Sequence, residues 1–136
     1  MKIVQTPPLG IYERAKALWG VDFDKGVIFT YGDTIHAKHD LTPDLIEHES
    51  THIQQQLLYP GGPEAWWDKY FTDGEFRLSQ ELEAYRRQYS FLVNQFKLTD
   101  PNQKFNIARM LGEHLSGQMY GRIVNIYQAI NLIKNG

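Results

Sequence analysis

Residues 48–52 read His-Glu-Ser-Thr-His. On an α-helix, side chains four positions apart project the same way, offset by about 40°. His48 and His52 can therefore offer imidazole nitrogens to one ion, at the roughly 2.0–2.1 Å typical of zinc. Glu49 stands about 100° round from His48, near enough to reach water at such an ion without ligating it. That division of labour suits hydrolysis, in which zinc polarises a carbonyl and acidifies water while a carboxylate takes the proton. The competing reading is a solvated polar helix face, because a five-residue pattern also arises by chance.

A catalytic zinc needs a third protein ligand and an open position. With no cysteine in the chain, that ligand is not a thiolate, which removes a deformylase-type site. The metzincin extension would need Gly at position 55 and His at 58, where this chain has Gln55 and Leu58. A glutamate on a later helix remains, and "SQELEAY" offers Glu81 and Glu83. Leu78, Leu82, Tyr85, Tyr89, Leu92 and Phe96 form an apolar stripe there. At helical phase Glu81 lies about 60° from that stripe and Glu83 about 140° from it. Glu81 is the expected ligand; its alternative role is a boundary carboxylate paired with Arg77 or Arg86.

The helix carrying the histidines has clear ends. Thr42 is placed as N-cap, Pro43 at the first helical position and Asp44 in the first turn, and Pro60-Gly61-Gly62-Pro63 closes it. Leu45, Ile46, Ile53 and Leu57 suggest that this helix is largely buried. Buried histidines and a glutamate would be costly without a common partner. Upstream, Ile11, Ala15, Leu18 and Trp19 share one helical face, with Gly20 as its stop. Val27–Tyr31 and Thr34–Ala37 read as strands about a Gly32-Asp33 turn, and a short strand fits before Pro7-Pro8. Downstream come a short helix at "EAWWDKYFTDG", the long striped helix, one over roughly 101–117 and a last one in "RIVNIYQAINLIK". The expected class is α+β: a small N-terminal β-hairpin or sheet on a predominantly helical body, with residues 1–136 as one domain.

The chain has 136 residues, 42% hydrophobic and 13% aromatic, enough for a core that needs no metal merely to fold. Its 14 basic and 16 acidic residues form no basic stripe, so nucleic acid is not an expected partner. The start "MKIVQTPPLG" lacks a secretory apolar run and no stretch is long enough to span a bilayer. A cytoplasmic location is expected; a phage particle or leaderless export would look the same.

"HESTHIQQQ" followed by "ELEAY" resembles the gluzincin metallopeptidases, especially small single-domain ones and related bacterial or phage domains with HExxHxxQ. The resemblance spans roughly residues 27–96 and is one of motifs. In that family the third ligand is the first glutamate of an ExxA pattern, here Glu81-Leu82-Glu83-Ala84; members often carry Asp next, where this chain has Tyr85. The resemblance implies a zincin-like fold around the helix of His48, His52 and Glu49, and a peptide or protein substrate lying extended on an edge strand, for which residues 34–38 are the candidates. It also implies an oxyanion stabiliser, with His114 and Tyr120 as candidates. His36 and His39 read as surface histidines, and Trp66-Trp67 as packing for a short helix. The expected function is a zinc metallopeptidase in which His48, His52 and Glu81 bind the ion and Glu49 is the base. The rival is a zinc-bearing domain that binds a partner without turnover.

Overall fold

The computed structural model describes residues 1–117 and 123–135. Among them a three-stranded sheet lies near the N-terminus: β1 (Lys2–Val4), β2 (Phe29–Tyr31) and β3 (Thr34–His36). β2 and β3 form the expected hairpin, with Thr30 opposite Ile35, and Gly32 supplies the positive φ of 61° that its two-residue turn requires. β1 then adds parallel to the far side of β3, setting Ile3 beside Ile35. The order is β1-β3-β2. This corrects the expectation for residues 34–38: β3 is the central strand, with both of its sides paired, and offers no edge to a substrate.

Helix α1 (Leu9–Trp19) joins β1 to a 3-10 turn at Phe23–Lys25. It buries Ile11 and Ala15 and stops at Gly20, whereas Leu18 is 55% exposed and turned away from the core. The remaining helices are α2 (Pro43–Leu58), α3 (Gly62–Thr72), α4 (Gly74–Gln95), α5 (Pro101–Leu115) and α6 (Ile126–Lys134). Pro43 opens α2 as expected, although the Thr42 side chain makes no capping hydrogen bond. A reciprocal capping box between Asn125 and Gln128 starts α6.

An aromatic cluster holds these parts together. Trp66, Trp67, Tyr70 and Phe71 of α3 are buried with Phe23 and Phe29. Trp66 stacks on Tyr70 with ring centres 4.9 Å apart, and Trp67 meets Phe71 at 5.2 Å. The tryptophan pair therefore packs its helix, as its sequence suggests.

Two helices are rotated relative to their sequence patterns. α2 buries His48, Glu49, Thr51, His52 and Gln56, while Leu57 is 62% exposed and Leu45, Ile46 and Ile53 are only half-buried. α4 buries Glu81, Ala84, Tyr85, Gln88 and Leu92, leaving Leu78, Leu82 and Tyr89 partly buried and Phe96 exposed beyond its end. α2 and α4 pack against each other through these polar faces. Such packing is stable only if the buried groups satisfy one another, and no buried side-chain nitrogen or oxygen among the described residues lacks a partner. Among the described residues no helix is long and apolar enough to cross a membrane.

Candidate metal centre

Where α2 and α4 face each other, His48, His52 and Glu81 form a cluster able to hold a metal ion. All three are 4% exposed. The two Nε2 atoms lie 3.2 Å apart, and Glu81 Oε1 is 3.2 Å from each of them. Donor atoms placed tetrahedrally about 2.0 Å from one ion stand about 3.3 Å apart, so this triangle has the size of one face of such a site. A cavity of about 20 Å³ is bounded by the three side chains with Glu49, Thr30 and Tyr70.

The surrounding hydrogen bonds decide which atoms point at the centre. Gln88 Nε2 donates to Asp44 Oδ2 at 2.8 Å, and an ionised carboxylate only accepts, so the Gln88 amide has one orientation. Its Oε1, 2.9 Å from His48 Nδ1, therefore accepts a hydrogen bond from the N–H at that nitrogen. Gln55 repeats the arrangement: its Nε2 donates to the Gln80 carbonyl and to Glu83, and its Oε1 accepts from His52 Nδ1 at 2.8 Å. In the neutral imidazoles both Nε2 atoms then carry lone pairs directed at each other and at a carboxylate oxygen. Three buried lone pairs converging at 3.2 Å repel unless a cation lies among them. The donor chemistry thus fits a divalent ion on two imidazoles and one carboxylate.

Ionisation in the metal-free chain follows from this convergence. Burial opposes charge on His52, but Glu81, Glu49 and Gln55 outweigh it and push its pKa up to about 9. Burial likewise opposes charge on Glu81, yet His52 and His48 hold its carboxyl far below the usual range. Proton and metal compete for the same lone pair. Tyr70 donates to the other oxygen, Glu81 Oε2, at 2.7 Å; burial and the neighbouring carboxylate raise its own pKa well above normal, keeping it a donor. The Arg alternatives for Glu81 fail, since Arg77 Nη1 donates to the Tyr70 carbonyl and Arg86 Nε to that of Leu132.

Glu49 lies beside the cluster, 6% exposed. Thr30 of β2 donates its hydroxyl to Glu49 Oε1 at 2.9 Å, and Oε2 is 3.8 Å from His48 Nε2. A second cavity of about 410 Å³ opens from His48 and Glu49 toward α5 and is bordered by Tyr85 and His114. Glu83 is exposed and reaches the centre only through Gln55. His36 is tied to the Thr6 carbonyl and His39 is exposed, both away from the cluster. Tyr120 lies outside the described residues. The supporting roles of four side chains, Thr30, Gln55, Tyr70 and Gln88, were not expected from the sequence, although Gln55 is the glutamine of the HExxHxxQ pattern. For two of them a signal exists, as Gln55 falls one turn after His52 and Gln88 two turns after Glu81. Tyr85, the residue after the ExxA pattern, packs edge-on against His48, and Gln88 holds the Nδ1 of that ring.

Comparison with protein-family models, curated proteins and solved structures finds no match to this chain.

Proposed function

We propose that this chain is a zinc-dependent metallopeptidase that hydrolyses peptide bonds. Support comes foremost from one observation: the tautomers imposed by Gln88 and Gln55 aim two imidazole lone pairs at the Glu81 carboxylate oxygen, at a point beside the carboxylate of Glu49. His48 Nε2, His52 Nε2 and Glu81 Oε1 would hold the ion. Zinc bound there supplies a Lewis acid for a carbonyl and lowers the pKa of water. Thr30 holds Glu49 Oε1 and leaves Oε2 to take a proton from water and return it to the departing amine. Trp66, whose ring centre is 5.6 Å from that of His52, and Tyr70 close the inner side against solvent. The 410 Å³ cavity supplies the approach for substrate.

The test is metal analysis of the purified protein together with digestion of a peptide library. One zinc per chain and cleavage that Glu49→Gln abolishes while retaining the metal are expected. Equal cleavage by the Gln variant would overturn the mechanism. Stoichiometric zinc with no cleavage of any peptide would leave a metal-bearing binding domain.

A further inference from the structure

An extended peptide joins a sheet by pairing with the unsatisfied backbone groups of an edge. The edge beside the metal cluster belongs to β2, and two of its outward groups, the Thr30 carbonyl and the Gly32 N–H, are satisfied from within the protein. The Thr30 carbonyl accepts from Gln56 Nε2 at 2.7 Å and from Trp67 Nε1 at 2.9 Å, while Gly32 N–H donates to Gln56 Oε1 at 2.8 Å. The Gln56 amide lies along the strand as a neighbouring peptide group would, with one donor and one acceptor facing it. Gln56 is 0% exposed and Trp67 6%. A substrate strand could pair there only by displacing both, leaving buried polar groups without partners.

Val27 and Ile28, just before β2, border the 410 Å³ cavity with Leu45, Tyr85, Met110 and Leu111. That volume lies at the lower end of small-ligand pockets, and its apolar lining is interrupted by Lys25, Asp44 and His114. It has room for one large apolar side chain with a short length of backbone.

Resting on the metallopeptidase reading, we infer that the substrate is a short peptide carrying a large apolar side chain at the scissile bond, and not an extended strand of a longer chain. The Gln56 amide excludes the strand, and the pocket before β2 selects the side chain.

Calorimetry on the full zinc-loaded protein tests this, using acetohydroxamate, a hydroxamate bearing an isobutyl group, and that compound lengthened by one to three alanines in either direction. The isobutyl group should tighten binding by at least about tenfold, and each alanine should change it by less than about threefold. The NMR signals of the Gln56 side-chain amide and of Gly32 N–H should stay in place with every ligand. Steady tightening by tenfold per alanine, with those signals displaced, would overturn the inference, as would an isobutyl group without effect. Gln56→Ala should open the edge and let lengthened ligands gain; should it not fold, the wild-type series and its NMR signals decide. If acetohydroxamate and all the others fail to bind, the metal centre falls and this inference with it. If acetohydroxamate alone binds, only the inference falls.

Discussion

Replacing Gln88 by leucine separates the metal-loaded from the metal-free protein. Leucine keeps roughly the volume of glutamine but removes the acceptor 2.9 Å from His48 Nδ1. With a metal on Nε2, the His48 proton must stay on Nδ1, where Gln88→Leu leaves it buried and unpaired at a cost of about 1–3 kcal/mol. Without metal the imidazole escapes that cost, since it can move its proton to Nε2 and donate to Glu81 Oε1, 3.2 Å away. Asp44, which loses the Gln88 donor, is half-exposed and can turn to water. The penalty therefore falls on the loaded form, and zinc affinity should drop roughly five- to 150-fold. Competition against a chromophoric chelator at constant pH measures this, with Gln54→Leu as a control because Gln54 is exposed and accepts its hydrogen bond from Arg87, away from the centre. A Gln88→Leu affinity within twofold of wild type would show that the Nδ1 bond does not fix the tautomer, and the lone-pair argument for the centre would fail with it.

Thr30→Val deletes the hydroxyl that orients Glu49, so turnover should fall about five- to tenfold at unchanged zinc content, read from kcat and metal analysis together. In the metal-free protein, His52 is raised from 6.5 to about 9, so its contribution to stability is complete below pH 6.5 and vanishes as pH climbs through 9. Glu81 is depressed from 4.5, so its contribution is present above that pH and lost on acidification. Urea denaturation of the chelated protein should accordingly show greatest stability between pH 4.5 and 6.5. Zinc affinity should rise toward pH 9, as His52 gives up its proton more readily. Gly61→Ala should lower the thermal midpoint by several degrees, because residue 61 has φ of 92° and the added Cβ would meet that of Ala65 at 2.8 Å.

The hairpin, α2 and the histidine pair were legible in the sequence for local reasons: a turn dipeptide, a proline at a helix start and an i, i+4 spacing. Glu81 was legible from its phase against the apolar stripe of α4. Helical rotation was less legible. The leucines and isoleucines of α2 suggested the buried side, yet Leu57 lies in solvent and Gln56 in the core. Apolar periodicity assumes that water-fearing atoms decide which face turns inward. Here a network of mutually satisfied polar groups decides it, and the same rotation carries Glu81 from the rim of the core fully inside. The strand order was hidden for a related reason, since nothing local to Thr34–His36 tells that β1 will arrive on its outer side. Tyr70 could not be connected to Glu81 by spacing, because they sit on separate helices joined by a bend at Asp73.

The amide of Gln56 also bears on how copies of the protein behave toward one another. An uncovered strand edge is a template for pairing with the same strand in another molecule, the usual start of aggregation and strand exchange. On β2 that template is masked by a side chain and an indole from the molecule's own helices. At the opposite margin of the sheet, β1 carries the charge of Lys2 on a strand of only three residues. The masked β2 edge and the short, charged β1 thus leave one molecule little backbone to capture from the next.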